Sequence, residues 1–394
     1  MRSEQAAGRA ALTIRQRVSI SYDFPVIFTR DAFSPENPAL GSVFPSPPQG
    51  SSNQAKAALV VDQGAAEAFP DLCERAASYF ETRPETPRLI GDPLVLPGGE
   101  RAKADQDVLQ RVLRLVFERG VCRHSFLIVL GGGALLDAAG FAAATAHRGV
   151  RLVRMPSTTL AQNDAGVGLK NGVSLFGRKN FWGAFAPPFA VVNDLALLSG
   201  LAPRDRRAGL SEAVKVALIR NRDFFERLYA ARHELGTLAP WAVEEAVMDC
   251  ARLHMTHIAT AGDPFELGSA RPLDFGHWSA HALEEITRGG LRHGEAVAIG
   301  IALDSLYSSL TGLLSREDCA RILTLLRDMG FNLWNEALES LDVAAALDAF
   351  REHLGGELTI SLLQGIGRGL EVNAIDPATM REAKALLRED ACAR

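Results

Sequence analysis

The order of apolar and polar positions divides the chain into two textures. Residues 13–30 alternate in the manner of a β-strand around the run IRQRVSISYDFPVIF, and a polar stretch rich in Pro and Ser, 33–54, breaks the alternation and reads as a surface loop. The apolar run 57–61 (AALVV) ends at Asp62, helical sequence follows as far as Phe80, and a second apolar run, 126–130 (FLIVL), leads directly into Gly131, Gly132 and Gly133. Apolar segments at 152–155 and 189–192, each bounded by Pro, Gly or Asp, predict further short strands. Strands alternating with helices predict a parallel α/β sheet. Beyond about Pro203 amphipathic helical runs dominate, at 210–219, 242–260, 280–286 and 316–329. The second half is therefore expected to be a mainly helical domain, with a ligand cleft between the halves. No internal repeat is visible.

Composition narrows the function classes only at the margins. With 394 residues, 47% hydrophobic and 23% charged, the chain is long enough for two domains and has an ordinary globular balance. A net charge of -5 and a pI near 6.0 argue against nucleic acid or a membrane surface as partner, since both require concentrated Lys and Arg. Cys73, Cys122, Cys250, Cys319 and Cys392 are scattered and contain no CxxC pair, which fits neither a disulfide framework nor a cysteine metal site and points to a reducing compartment. The first ten residues lack an apolar core and no apolar run approaches a membrane span, so a cytosolic location is expected.

Three groups of residues carry candidate chemistry. The glycines 131–133, between an apolar strand and the helical sequence 134–146, would let backbone approach a pyrophosphate at a helix N-terminus, although an ordinary tight turn reads the same way. Asp62 at a strand end, and Glu100 with Lys103 in PGGERAK, could bind ribose hydroxyls or stand as solvated charges. In GLSEAVK, Glu212 and Lys215 share a helical face, as His277 and His281 do in FGHWSAH, and His293 opens a further helical run. One carboxylate and two imidazoles with coordination space left over suit Zn²⁺ as a Lewis acid, whereas a surface ion pair plus interfacial histidines is the plain alternative. Between these groups, PSTTLAQNDAGVGLKNGVSLFGRKNFWGAF sets Asp164, Lys170, Lys179 and Asn180 in what reads as glycine-rich loop, able to gather ammonium groups on a phosphate or simply to be solvated.

The blocks GGGALLDAAGFAAATAHRG, PSTTLAQNDAGVGLK, GRKNFWGAF, AGLSEAVK, FGHWSAHALE and HGEAVAIG, in this order across residues 57–305, resemble the dehydroquinate synthase superfamily of sugar phosphate cyclases. The resemblance implies a Rossmann-like α/β domain over 1–202 and an α-helical domain over 203–394. It implies NAD held by Gly131, Gly132, Gly133, Asp137, Thr158 and Thr159, with Asp62, Glu100 and Lys103 at the ribose contacts. It places a divalent metal, Zn²⁺ or Co²⁺, on Glu212, His277 and His293. Asp164, Lys170, Lys179, Asn180, Lys215 and His281 fall at positions that grip substrate hydroxyls and phosphate, and Arg148 at an arginine reaching the neighbouring subunit's site, which implies a homodimer. The reaction implied is transient oxidation by NAD⁺, phosphate elimination, re-reduction, ring opening and an intramolecular aldol closure.

Departures from the synthase pattern narrow the substrate. Where dehydroquinate synthases show RxxLNxGH, this chain reads ARPLDFGH, with Arg271 displaced by one position and Asp274 in place of asparagine. An upstream lysine is replaced by the stretch containing His254 and His257, and a C-terminal DKK signature by Arg351, Glu352 and His353. Asp274 serves a substrate carboxylate poorly, and Asp274 with His353 resembles cyclases that act on sedoheptulose 7-phosphate, of the 2-epi-5-epi-valiolone synthase or Ebo type. A true 3-dehydroquinate synthase, a metal-dependent polyol dehydrogenase and a non-catalytic binder of NAD or sugar phosphate are the alternatives.

Overall fold

The computed structural model describes residues 13–45, 54–266 and 272–392; Arg271 lies outside them, as does the side chain of His353. The first half is built on a parallel sheet in the order Val26–Thr29, Ala190–Asp194, Arg151–Pro156, Phe126–Gly131, Lys56–Asp62 and Arg88–Leu89, with Leu94–Leu96 also pairing to Lys56–Asp62. Its central strands are apolar on both faces because both faces are covered. Ala58, Val60, Leu127 and Val129 pack beneath the helices Gln106–Glu118 and Gly133–Thr145, while Leu59, Val61, Ile128 and Leu130 pack with Leu72, Tyr79 and Phe80 of the helix Leu72–Thr82. The carboxyl ends of neighbouring strands thus bring Asp62, Gly131 and Pro156 to one edge, where open α/β sheets take their ligands.

The second half is helical, with a core formed by Leu210–Arg220, Pro240–Thr260, His277–Ile286, His293–Leu310 and Arg316–Asp328. It also contains a hairpin, Ile360–Gly365 with Arg368–Val372, that helical periodicity does not reveal. No helix among the described residues is long and apolar enough to cross a membrane.

Three expectations change. Only Val26–Thr29 of the alternating run is a strand; residues 13–25 have no regular structure and expose Ile14, Val18, Ile20 and Tyr22, because alternation yields a strand only where a partner edge accepts it. The polar stretch after residue 33 is not simply surface: Phe33, Leu40, Val43 and Phe44 are buried against Tyr79, Phe80 and Phe126, apolar anchors outweighing the surrounding Pro and Ser, while 46–53 lie outside the described residues. Lys170, Lys179 and Asn180 sit on an antiparallel hairpin, Lys170–Leu175 with Arg178–Phe185, rather than in a loop; Asn171 and Val173 bury one face of it and override the glycine content.

Candidate active site

The helix Leu210–Arg220 carries Glu212 and Lys215 one turn apart, both buried, with the Lys215 ammonium against the Glu212 carboxylate. His277 begins the helix His277–Ile286 and His293 begins His293–Leu310, so two helix starts face one helix side. Glu212 Oε1 lies 3.7 Å from His277 Nε2 and 3.6 Å from His293 Nε2, and one ligand atom from each of the three residues falls within 4.8 Å of the others. The group fits a divalent cation. Among the described residues neither Glu212 oxygen has a hydrogen-bond partner of proper geometry despite full burial, which leaves its lone pairs available to an ion.

The surrounding charges agree. Burial alone would raise the Glu212 carboxyl, but Lys215, His293 and His277 outweigh it and hold it well below the usual carboxylate range. Burial likewise opposes a charge on His293, yet Glu212 and Glu284 push that imidazole up to about 10. For His281, one turn beyond His277, burial and then His277 and His293 outweigh Asp274 and Glu284 and push the imidazole down to about 3, so the ring is neutral.

Contacts from the first half reach this cluster. Lys179 Nζ lies 3.2 Å from Glu284 Oε1, whose other oxygen is 3.2 Å from His293 Nδ1; Lys170 meets Glu266 at 2.7 Å; Asp164 Oδ1 is 3.1 Å from His254 Nδ1. Asp274, in a short turn before His277, is half-buried. Burial would raise its carboxyl, but His277, Lys170, Lys215 and His281 outweigh it and keep it ionised. His353 ends the helix Val343–His353, which packs Phe350 against His281 at 6.4 Å between ring centres.

At the sheet edge, Gly132 precedes the helix Gly133–Thr145 with no side chain capping its first N–H groups, leaving them for an anion. Asp62 caps the helix Gln63–Ala68 by accepting from Gly64 N, and burial raises its carboxyl against the bonds from Gly64, Gly132 and Ala65. The PGGE loop lies directly over it: a Cβ on Gly98 would come 2.1 Å from Asp62 Oδ2. Thr158 Oγ1 accepts from Ala161 N, whereas buried Thr159 Oγ1 has no hydrogen-bond partner among the described residues. Lys103 Nζ contacts Asp137 at 2.5 Å and donates to Asn180 at 3.0 Å, joining the glycine-rich helix to the hairpin, while Glu100 is exposed.

Arg148 stands apart. It follows the far end of the 13-residue helix Gly133–Thr145, about 20 Å from Gly133. There it lines a depression of about 640 Å³ with Cys122, Arg123, His124, Thr145 and His147, none of them a member of the metal cluster.

Sequence reasoning gave no site role to three residues in this region. Glu284 lies seven positions after His277, two turns along the same helix, and that spacing could have flagged it. His254 stood out in the sequence only as part of the stretch replacing a lysine, and its contact with Asp164 gives it a place in the site. Arg154 is fully buried and donates to the carbonyls of Gly166, Gly168 and Lys170 and to Asn171, shaping the approach to Lys170. Nothing in an apolar strand pattern marks it.

A doubly covered parallel sheet, joined to a helical half that presents one carboxylate and two imidazoles to the shared cleft, defines the two-domain α/β class with a candidate metal centre. The models described as 3-dehydroquinate synthase N-terminal and C-terminal match residues 93–208 and 209–352. The 2-epi-5-epi-valiolone synthase of Streptomyces glaucescens is 36% identical over 307 residues, 76% of each chain, and the 3-dehydroquinate synthase of Dichelobacter nodosus 38% identical over 281 residues, 71% of this chain and 74% of that one. The solved 2-epi-5-epi-valiolone synthase ValA of Streptomyces hygroscopicus subsp. jinggangensis, with NAD⁺ and Zn²⁺ bound, superposes with a TM-score of 0.84 at 26% identity, covering 96% of this chain and 100% of that one. The chain belongs to the 3-dehydroquinate synthase family of sugar phosphate cyclases.

Proposed function

We propose that this enzyme uses NAD and a divalent ion, Zn²⁺ as in the solved relative, to convert sedoheptulose 7-phosphate into a seven-carbon cyclitol with release of phosphate. The observation that carries the choice of substrate is Asp274, an ionised carboxylate beside His277, Lys170 and Lys215, where a substrate carboxylate would be repelled. Bound NAD would accept and return hydride, and the ion would polarise a substrate oxygen. Glu212, His277 and His293 hold the ion, and Glu284 orients His293. Asp62, Glu100, Lys103, Asp137, Thr158, Thr159 and glycines 131–133 hold the dinucleotide.

The remaining side chains bind and orient the sugar phosphate. Asp164, paired with His254, and Lys215 grip hydroxyls, and since burial lowers the His254 imidazole despite Asp164, it meets substrate as a neutral ring. Lys170, Lys179, Asn180 and His281 receive the phosphate and stabilise the charge that builds as it departs. Arg148 joins them from a second copy, so the site is completed in a homodimer. Asp274 faces the sugar end that carries a carboxylate in 3-dehydroquinate synthase substrates, and His353 is assigned to the same end by its place in the sequence. Identity to 3-dehydroquinate synthases favours that activity as the second reading. Phosphate release with each sugar phosphate distinguishes the two: turnover of sedoheptulose 7-phosphate is expected, and fast turnover of only the carboxylated heptulosonate phosphate would overturn the assignment.

A further inference from the structure

We propose that Asp304 is a positioning residue for His277, acting through the Phe275–Gly276 peptide, so that the outer shell of this ligand is a relay from carboxylate to amide to imidazole. The inference rests on Glu212, His277 and His293 being the metal ligands. Asp304 lies in the helix His293–Leu310, about three turns after His293, and is fully buried. Its Oδ2 accepts from Gly276 N at 3.1 Å and its Oδ1 from Trp278 Nε1 at 2.9 Å, the two residues that flank His277.

The geometry continues on the other side of the same amide. Gly276 N–H and Phe275 C=O belong to one planar peptide, and Phe275 O lies 3.1 Å from His277 Nδ1. A carbonyl only accepts, so Nδ1 carries the proton and the Nε2 lone pair is turned toward Glu212. An anion on the N–H side polarises the amide and makes its carbonyl a stronger acceptor. That raises the basicity of Nε2, as a carboxylate bonded directly to a ligating histidine does.

The backbone leaves the relay no slack. Gly276 has φ +77°, and a Cβ there would come 2.7 Å from Ile301 N; a Cβ on Gly300 would come 2.0 Å from Gly276 O. The two helices that begin with His277 and His293 therefore touch backbone to backbone at the place Asp304 clamps. The carboxylate is costly to the fold. Burial pushes it up to about 7 against the bonds from Trp278 and Gly276, with no cationic side chain contributing among the described residues. A local cost without local compensation is a mark of functional sites.

The test is metal affinity of the full chain, stripped and titrated with Zn²⁺ and Co²⁺ against a competing chelator. The wild type should bind and His277→Ala should not; Asp304→Asn should bind about tenfold more weakly, and Trp278→Phe, which leaves the Gly276 bond in place, should stay near wild type. Wild-type affinity in Asp304→Asn, or equal weakening in Trp278→Phe, overturns the relay and leaves the ligand assignment intact. A wild type that binds neither ion overturns both. Without any variant, ¹⁵N shifts of the His277 ring in the metal-free wild type at pH 8 should show Nδ1 protonated; the opposite tautomer overturns the proposal.

Discussion

At the scale of single residues, the site is a set of charges that burial disfavours and neighbours restore. Glu212 remains ionised only because Lys215, His293 and His277 surround it, and His293 is held charged by Glu212 and Glu284. A divalent ion would take over the role of the imidazolium, so Glu212→Ala should lose bound metal and turnover together. Elemental analysis of the purified variant checks this, and unchanged metal content contradicts the assignment. The proposed role of Asp274 in substrate preference is tested by the same logic. Asp274→Asn removes a like charge from a half-buried position and should shift the kcat/KM ratio toward the carboxylated sugar at least about fivefold, since such a repulsion exceeds ~1 kcal/mol. The residue types were legible in the sequence, and helical spacing from His277 could have marked Glu284, but the roles of His254 and Arg154 were not, because they arise from contacts across 90 and 12–17 positions respectively.

At the scale of elements, two helix starts, one helix face and one hairpin converge. The hairpin Lys170–Leu175 with Arg178–Phe185 owes its approach to Arg154, whose guanidinium satisfies three carbonyls and the Asn171 side chain. Its desolvation lowers the arginine to about 10, a further sign that it is fully enclosed. Arg154→Met leaves those acceptors unpaired and should destabilise the protein by about 3 kcal/mol, read as a lower midpoint in denaturant, with KM for the sugar phosphate rising through Lys170. A variant with wild-type stability would show that the bonds carry no weight. The helices and the central strands were readable from periodicity because each buries a continuous face; the hairpin was misread as loop because glycine and lysine content masked the alternation of Asn171, Val173 and their partners.

At the scale of the whole molecule, two properties follow. If Arg148 completes the site of a second copy, as proposed, a mixture of inactive Arg148→Ala and inactive Glu212→Ala chains should regain activity, up to about a quarter of wild type if dimers exchange at random. No recovery after subunit exchange, verified by mass, would contradict the shared site. The other property is pH dependence. Asp304 has a folded-state carboxyl near 7, above its unfolded value, so the folded state binds the extra proton. Its contribution is full at pH 4 and below and is lost as pH rises through 7, on the order of a few kcal/mol. Denaturation midpoints of Asp304→Asn should therefore vary less between pH 5 and 8 than those of the wild type, and parallel curves would refute the assignment of the titration to Asp304.

What the sequence determined by itself is what short-range order encodes: strands that end at Asp62 and Gly131, helices that carry Glu212 with Lys215 and His277 with His281, and a chain order of blocks that defines the family. Each depends on neighbours within one or two turns. The tertiary structure alone decided which of these groups share a volume, that Asp304 grips the peptide behind His277 from another helix, and that Arg148 lines a depression shared with none of the metal-cluster residues. Those outcomes depend on how buried faces pack against each other over tens to hundreds of positions, and periodicity along one segment contains no term for that.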